Sequence, residues 1–591
     1  MAAAALLIRV GIWSTLWGTS ALALNDAPDT DMRFFAEWAE EIGDGDWLTD
    51  QSLHPVHSWH MQVATTYFRE NPDRIRDFTP DDGILLFQLA PEEQMQRRIL
   101  VAGRLWDHWY AQKRFHQEPL YPYAVAVASL LPGGDRVALL VLQALMGVGT
   151  ILLLHVVTRR LFGDLAALIA CVLALLYPPL PYFELFLLRA TPLCFASLAI
   201  AWALDRHSRD SRRLWIVAGL IVGVASLLRT TFLAVGLLVA ALLPVLRKDD
   251  RRGTLRHSAT LVVGMILPLI PAFARNATVD APLFDLSSVA AITFAGVNHH
   301  GYEPGRGWVV DPRALARIMK ESEGSTGATV SETVGSHPDM GSWCGLVFDK
   351  FLAIWHDTEY PNNTNVEWDT QVSWVMQFMP VSFGLIAALS LVGMGLAVWR
   401  RRGSTVLWTL VVLGVAQLTL LYTLTRFRVV LVVALLPFAG FAVAQVYTAI
   451  RARHWGVSGA SVAAAILVFV FSVRDDRALL EPVELVTRGE IYQRITCFFG
   501  PRWKAAMAEE DWEGSLEIMA QVHEQRPPFI DALGPRRKTR DIYEYEIGLL
   551  YSEVYNLIAD AAIQIGDQKR ATEARQRARE LTQSLRHPSK G

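Results

Sequence analysis

The sequence predicts an all-α membrane protein whose helices cross a bilayer many times. Its 591 residues are 52% hydrophobic and only 19% charged, whereas soluble proteins carry about 25% charged residues. Long apolar blocks alternate with polar stretches, which is the pattern of spanning helices of about 20 residues. The net charge of −3 gives no reason to expect nucleic-acid binding.

Missing motifs disfavour two classes of function. The sequence has no phosphate-binding loop of the Walker type and no Gly-rich turn after a predicted strand, and its four cysteines do not form a zinc-ribbon pattern. These absences count against ATP-driven transport and against soluble nucleotide-sugar donors. The predicted cytoplasmic loops are also too short to hold a catalytic domain.

The first span is predicted at Ala2–Leu24, an apolar run that carries only Arg9 as a charged residue. The sequence Ala21-Leu22-Ala23 has the form of a signal-peptidase site, but the run is long for a signal peptide, which favours an uncleaved span. Both interpretations place Asn25 and the residues after it outside the cytoplasm.

Basic residues orient the remaining spans because Lys and Arg concentrate in cytoplasmic loops. Basic clusters recur at every second junction between apolar blocks. Assigning all of them to the cytoplasm predicts about eleven spans in a transmembrane domain of residues 1–473, with outer loops at residues 25–119 and 275–379. The clusters are Arg159–Arg160, Arg206–Arg213, Arg247–Arg252, Arg400–Arg402 and Arg451–Arg453.

The last 118 residues, 474–591, form a polar tail, and the same orientation of the spans places it outside the cytoplasm. A clear helical hairpin is predicted at Tyr555–Leu585 and a weaker one at Lys504–Val522. The regular spacing of small residues and Tyr, with a Gly-Asp turn between the helices, is typical of tetratricopeptide-like repeats. A generic helical hairpin is the alternative. A protein partner for this tail is left open.

Four arginines depart from the positive-inside pattern because they lie toward the predicted outer face: Arg189, Arg229, Arg426 and Arg428. Charged groups at membrane depth usually face a cavity or a partner. Guanidinium groups pair bidentately with phosphate, so these arginines, with Glu184 near Arg189, predict a site for an anionic lipid headgroup. The alternatives are snorkelling of Arg229 and Arg428 and a packing ion pair between Glu184 and Arg189.

Three carboxylates, Asp26, Asp29 and Asp31, follow the first span directly. An amphipathic helix is predicted to begin just after them, at Met32. Asp31 could cap that helix, since Asp is a favoured N-cap residue. The alternative is a catalytic role for one of the three.

The chain resembles the GT-C glycosyltransferases, polytopic enzymes that use polyprenyl-phosphate sugars. It resembles in particular the family 39 protein mannosyltransferases and the bacterial aminoarabinose-transferase-like branch. The resemblance extends over residues 1–473. It is carried by Asp31–Ala39 with Ile42–Leu48, Gln117–Tyr123, Thr158–Gly163, Tyr177–Tyr182 and Thr425–Gly440.

The resemblance implies that Asp31, with Asp29 and Asp26 as alternatives, is the acidic residue of the first outer loop. A positioned carboxylate can take the proton that the acceptor loses during attack on the sugar. The leaving lipid phosphate needs cationic stabilisation, which the outward arginines would supply. The implied reaction is an inverting transfer to a hydroxyl or amine.

The second outer loop is predicted to contact the sugar through His299, His300, Glu359 and Asn362. Aromatic and polar loops suit sugars, because rings stack on pyranose faces while amides and carboxylates bond hydroxyls. A folded cap without ligand contacts is the alternative. No cofactor is predicted. A divalent metal is left open. His54, His57 and His60 have the three-residue spacing of one helical face, but Pro55 disfavours a regular helix through the start of this segment.

The predicted function is therefore glycosyl transfer at the outer, periplasmic face of an inner membrane. The expected partners are membrane lipids, a polyprenyl-phosphate sugar and a protein, lipid or glycan acceptor, with no nucleic acid. The alternatives are a lipid-linked glycan transporter or flippase and a non-catalytic envelope assembly protein. A transporter would be expected to show internal repeats, and no convincing repeat is evident.

Overall fold

The protein is helical throughout the part of the chain that the computed structural model describes, and no β-strand occurs there. The described residues are 1–49, 56–80, 90–111, 113–131, 135–205, 212–246, 251–305, 311–476, 479–480, 490–526, 528–534, 536, 538 and 542–585. His54 and parts of two predicted basic clusters, residues 206–211 and 247–250, lie outside them. The predicted all-α fold class is confirmed.

The predicted first span is bent rather than continuous. Helix α1 (Ala2–Leu16) is followed by a short helix at Ser20–Ala23, and α1 meets the helical segment Ser20–Asp26 at 85°. Arg9, on α1, is buried and donates two hydrogen bonds to Glu184, at 2.6 and 2.7 Å. The charge that the first span carries is thus compensated inside the bundle, as the low-dielectric surroundings require.

The first outer loop folds into helices that lie against the second outer loop. These helices are α2 (Asp31–Gly43), α3 (Ser58–Glu70) and α4 (Pro91–Trp106), and the short apolar helix α5 (Leu120–Ser129) follows the loop. Arg275, at the end of a later helix, donates to the carbonyl oxygens of Leu48 and Lys113 at 2.7 and 2.6 Å. Its guanidinium also lies 4.2 Å from the centre of the Phe115 ring, so it fixes the start of the second loop to the first.

The central apolar helices are α6 (Asp135–Phe162), α7 (Asp164–Leu175), α8 (Ala190–Asp205), α9 (Arg212–Ser226), α10 (Thr231–Leu246), α11 (Arg251–Ile266) and α12 (Ile270–Thr278). Among the described residues, four helices are long and apolar enough to cross a membrane, or six if each bent pair is one span. Six shorter apolar helices, including Ala190–Leu204 and Phe383–Trp399, accompany them. The total of about eleven spans stays a prediction.

The second outer loop contributes α13 (Val289–Asn298), α14 (Pro312–Ser322), α15 (Thr326–Gly335), α16 (Met340–Ile354) and α17 (Val366–Val372). It shares one apolar core with the first loop. Val63 and Trp106 of the first loop are buried together with Ile292 and Leu315 of the second. The two loops therefore form one layer over the membrane helices.

The last apolar helices are α18 (Phe383–Trp399), α19 (Thr405–Leu420), α20 (Thr425–Arg451) and α21 (Trp455–Ser472). Helix α20 is central, since it packs against α7, α8, α18, α19 and α21. Two glycines permit its closest approaches. A Cβ atom at Gly393 would lie 1.9 Å from the Phe438 carbonyl oxygen, and one at Gly440 would lie 2.2 Å from that of Ala166.

The tail contains α22 (Gly500–Ala508), α23 (Trp512–Glu524), α24 (Ile542–Gln564) and α25 (Gln568–Ser584). Helices α24 and α25 pack side by side. The turn between them contains Gly566 with a φ of 82° and Asp567, whose carboxylate caps α25 by accepting from the Arg570 N–H at 3.0 Å. The hairpin expected from the Gly-Asp turn is present, and its tetratricopeptide-like character stays a prediction.

Candidate functional site: a cavity beneath the outer loops

A cavity of about 1200 Å³ lies between the outer-loop layer and the membrane helices. One part of its wall is polar and comes from the first outer loop and the outer ends of the helices. The other part is apolar and comes from α8, α10, α11 and α12 with the turn that joins the last two. The apolar lining includes Leu193, Leu233, Leu237, Val262, Met265, Ile266, Leu269 and Phe273. A site of this kind suits a ligand with a charged head and a hydrocarbon chain.

Asp31 lies on the polar wall and accepts hydrogen bonds from three parts of the chain. Gln117 donates to Oδ1 at 3.0 Å, Asn363 donates to Oδ2 at 2.9 Å, and Arg426 forms an ion pair with Oδ2. Burial of the carboxyl group disfavours its charged form, but the Arg426 guanidinium and these hydrogen bonds hold the pKa of Asp31 well below its usual range. The side chain is still 25% exposed, so a ligand in the cavity can reach it.

The N-cap of α2 is Thr30 rather than Asp31, so the expected capping role is wrong. The Thr30 hydroxyl accepts from the Arg33 N–H at 3.2 Å and donates to the Ala27 carbonyl at 2.8 Å. Since Thr30 satisfies the helix end, Asp31 occupies the first helical position. Its carboxylate is then available for contacts across the cavity wall.

Arg189 lies on the same wall and pairs with Glu118, not with Glu184. Its Nη1 donates to Glu118 Oε2 at 2.5 Å and to the Leu228 carbonyl at 2.9 Å, and its Nη2 donates to Gln117 Oε1. The Glu118 carboxylate also accepts from the N–H and hydroxyl of Thr230, both at 2.9 Å. Gln117 thus bonds Asp31 through its amide nitrogen and Arg189 through its amide oxygen, which links the two charged groups.

Arg229 differs from the other two cavity arginines in its contacts. Its guanidinium lies 4.3 Å from the centre of the Phe427 ring, and that of Arg426 lies 4.7 Å from the same ring. Within the described residues, Arg229 forms no ion pair, whereas Arg189 and Arg426 each have a carboxylate partner. Arg229 thus interacts with Glu118 only through longer-range electrostatic attraction, without a direct ion pair among the described residues.

Asp29 and His57 form a second polar pair on the wall. Asp29 Oδ1 accepts from the Ser58 N–H at 3.1 Å and lies 3.2 Å from His57 Nδ1. The hydrogen bond with His57 lowers the pKa of Asp29 to about 2, although burial opposes the change. Asp29 adopts a φ of 61°, an uncommon conformation for a residue other than glycine. This loop conformation holds Asp29 against the start of α3.

Several predicted site residues do not line the cavity. Glu184 is paired with Arg9, because the nearest guanidinium in the fold comes from the first helix. Arg428 is fully buried and donates to Glu359 at 2.7 Å and to two backbone carbonyls. Asp26 and the pair His299 and His300 are also absent from its lining.

The buried Arg428 and Glu359 form a structural pair that holds the second outer loop on α20. Glu359 also accepts from the hydroxyls of Tyr177 and Thr425, at 2.7 and 2.9 Å. His299 is buried, with its Nδ1 2.8 Å from the His300 carbonyl oxygen. Among the second-loop predictions, Asn362 is the residue that reaches the cavity.

Sequence reasoning missed Gln117, Glu118, Asn363 and Gln493 as cavity residues. A signal existed for the first two, because they open the Gln117–Tyr123 motif that carries the family resemblance. Asn363 follows Asn362 directly and could have been grouped with it. Gln493 comes from the tail, and nothing in its local sequence distinguishes it from a surface glutamine.

Within the part of the chain that the structure describes, no three His, Cys, Asp or Glu side chains converge in the way a metal site requires. His57 bonds Asp29, and His60 Nδ1 accepts from the His57 N–H at 3.1 Å. These two imidazoles therefore stabilise the start of α3.

Residues 116–283 match the family model of the dolichyl-phosphate-mannose-protein mannosyltransferases. Over these residues the predicted resemblance to the protein mannosyltransferases is confirmed. The GT-C match contains Gln117, Glu118, Arg189 and Arg229 of the cavity wall. Asp31 and Arg426 lie outside the matched residues.

Solved structures of GT-C enzymes are similar to the chain at low identity. AglB, an oligosaccharyltransferase of Archaeoglobus fulgidus solved with an inhibitory peptide and a dolichol-phosphate, is 15% identical over 74% of this chain and 51% of its own, with a TM-score of 0.32. An acceptor-peptide-tethered structure of the Archaeoglobus fulgidus oligosaccharyltransferase is 16% identical over 64% of this chain and 47% of its own, with a TM-score of 0.30.

ArnT of Cupriavidus metallidurans, solved with undecaprenyl phosphate, is 14% identical over 70% of this chain and 78% of its own, with a TM-score of 0.24. The chain spans about half the length of the archaeal enzymes. No curated protein matches the chain significantly in sequence.

Proposed function

We propose that this protein transfers a sugar from a polyprenyl-phosphate carrier to an acceptor hydroxyl or amine. The observation that carries the proposal is the cavity, where Asp31 and three guanidinium groups share one polar wall that continues into an apolar wall of four helices. The family match supports it, because dolichyl-phosphate-mannose is itself a polyprenyl-phosphate sugar.

The donor would lie with its phosphate at Arg229 and its hydrocarbon chain along α10 and α11. Among the described residues, Arg229 is the cavity arginine that forms no direct ion pair with a carboxylate. Guanidinium groups bind phosphate oxygens bidentately, and Arg189 and Arg426 lie on the same wall. Leu237, Val262 and Ile266 would contact the prenyl units.

The proposed reaction is a single displacement with inversion. The acceptor oxygen or nitrogen forms a bond to the anomeric carbon, and the bond from that carbon to the phosphate oxygen breaks. The electron pair leaves with the polyprenyl phosphate, whose added negative charge the guanidinium groups stabilise. The acceptor proton passes to the Asp31 carboxylate.

Arg426 would have two roles in this reaction. While it is paired with Asp31 it lowers the basicity of that carboxylate, which weakens Asp31 as a proton acceptor. A bound donor phosphate competes for the same guanidinium. Partial transfer of Arg426 from Asp31 to the phosphate would raise the pKa of Asp31 as the substrates assemble and so would favour proton transfer.

The proposed location is the inner membrane, with the cavity and the tail on the periplasmic side. This orientation follows from the basic clusters, for example Arg159–Arg160 and Arg400–Arg402, which are assigned to the cytoplasm. Arg189 directly precedes α8 and Arg426 lies in the first turn of α20, so both lie at the helix ends opposite the basic residues that follow those helices in the sequence.

The test is a transfer assay with the purified protein in lipid nanodiscs, a panel of polyprenyl-phosphate sugars and membrane-derived acceptors. Asp31→Asn is expected to lower the rate by at least about 100-fold, since general-base catalysis contributes 10²–10⁴-fold. Glu37→Gln is the matched control, because Glu37 is an exposed carboxylate on the same helix, paired with Arg33. Equal transfer by the wild type and Asp31→Asn would refute the assignment of the base.

A further inference from the structure

We propose that the C-terminal tail is a positioning part of the transfer site, acting through Arg494 on the loop segment that carries Asn362 and Asn363. The inference rests on the proposed function, since it concerns how Asp31 is held. It assigns to the tail a role inside the protein, in place of one that requires a separate partner.

The tail is joined to the transmembrane domain by a buried ion pair. Arg494 donates to both carboxylate oxygens of Asp369 on α17, at 2.6 and 2.9 Å. Its side chain is 2% exposed and that of Asp369 is fully buried. Such a pair is stable only when further hydrogen bonds and close packing compensate for the lost hydration.

Those further contacts come from two other elements and from α17 itself. Tyr182 donates its hydroxyl hydrogen to Asp369 Oδ2 at 2.6 Å, and Arg494 donates to the Ser20 hydroxyl at 3.4 Å. The Arg494 guanidinium lies 4.7 Å from the centre of the Trp368 ring. The pair therefore links the tail to the second outer loop, the bent span around Pro179–Tyr182 and the end of the first span.

A short segment connects this pair to Asp31. Helix α17 begins after Asn365, whose side chain caps it by accepting from the Trp368 N–H at 3.1 Å. Three residues before the helix, Asn363 has a φ of 62° and donates to Asp31 Oδ2 at 2.9 Å. Because Asp369 fixes α17 and the cap fixes its start, a displacement of α17 would move the Asn363 amide away from Asp31.

The tail also reaches the cavity itself. Gln493, the neighbour of Arg494, is part of the cavity lining, together with Asn362 and Asn363. Glu490, one turn earlier, is buried at the same junction. Residues 490–494 therefore lie next to the segment that contacts Asp31. A tail that only bound a separate partner would not need this contact.

The experiment measures steady-state transfer by the full-length protein in nanodiscs. Arg494→Lys keeps the charge but not the two-pronged hydrogen bond, and Tyr182→Phe removes one hydrogen bond to Asp369 without burying an unpaired charge. Both variants are expected to lower kcat, Arg494→Lys by about tenfold, while the donor KM changes less than about twofold. Arg575→Gln is the matched control, because Arg575 is a half-exposed tail arginine paired with Asp560.

A double-mutant cycle separates positioning from general stability. Asn363→Gly removes the amide that contacts Asp31 and tolerates the positive φ. If the tail acts through Asn363, Arg494→Lys lowers kcat about tenfold in the wild type and less than about twofold in the Asn363→Gly background. Equal losses in both backgrounds, or no loss in the wild type, would overturn the inference. Wild-type transfer by Asp31→Asn would instead overturn the proposed base, and that result is independent of Arg494.

Discussion

Arg426 forms an ion pair with Asp31, although the two residues lie 395 positions apart in the chain. The contact joins the first outer loop to the first turn of α20, the most central helix of the bundle. It places a base candidate and a phosphate-binding group in direct contact before any substrate is bound. The electrostatics of this pair lead to a prediction about pH.

The variant Arg426→Gln is expected to introduce an acid limb in the pH dependence of kcat/KM. In the wild type, burial acts to raise the pKa of Asp31 but the guanidinium holds it well below the usual range, so Asp31 stays ionised at every pH above about 4. Without the guanidinium, burial remains and the pKa rises. Activity is then lost as the pH falls toward the raised pKa.

Rate measurements between pH 5 and 8 check this prediction, with Arg33→Gln as the control, since Arg33 is an exposed arginine of α2. Identical profile shapes for Arg426→Gln and the wild type would contradict the role assigned to the pair.

The variant Arg229→Gln is expected to weaken donor binding by about tenfold or more, because a hydrogen bond to a charged group contributes roughly 1.5–3 kcal/mol. Arg229→Lys retains the charge but not the guanidinium fork, so an intermediate loss is expected. Binding of a fluorescent polyprenyl phosphate measures both. Arg313→Gln, at an exposed position of the second outer loop, serves as the control. Unchanged affinity in Arg229→Gln would argue that this arginine only stacks on Phe427.

The variant Asn363→Asp is expected to lower transfer more than Asn363→Gly. The aspartate would place a second carboxylate beside Asp31, and its negative charge would compete for Arg426 and oppose binding of the donor phosphate. The glycine removes one hydrogen bond and keeps the backbone conformation. Rates of transfer at pH 7 for the two variants check the order, and the reverse order would contradict the contact with Asp31.

Thr30→Ala is expected to destabilise α2 by about 1 kcal/mol, the usual cost of losing an N-cap side chain. Thr30→Ser keeps the hydroxyl and is expected to preserve the melting temperature. Thermal unfolding in detergent measures the difference. If Thr30→Ala and Thr30→Ser melt at the same temperature, the hydroxyl contact to the Arg33 N–H contributes little to the helix.

The sequence predicts the fold class well because apolar blocks and basic clusters are local signals. It also identifies Arg189, Arg229 and Arg426 as unusual, and these three line one cavity. Arg428 shares that signal but has a different environment, since residues two apart on a helix point to nearly opposite sides. Arg428 accordingly faces Glu359 in the interior.

Long-range pairing explains the remaining differences. Glu184 lies five residues from Arg189, yet Arg9 compensates its charge from 175 positions away. Asp369 and Arg494 likewise pair across 125 positions. Nothing in the local sequence indicates which charged groups will meet, because that depends on how the helices pack. The contribution of the tail to the cavity therefore emerges only in three dimensions.

The most direct measurement is an experimental structure of the protein with a polyprenyl phosphate bound in a nanodisc. Phosphate density is expected within hydrogen-bonding distance of Arg229, with hydrocarbon density along α10 and α11 and Asp31 facing the phosphate across the cavity. Density for the lipid phosphate at another site, with the cavity between Asp31 and Arg229 empty, would contradict this expectation.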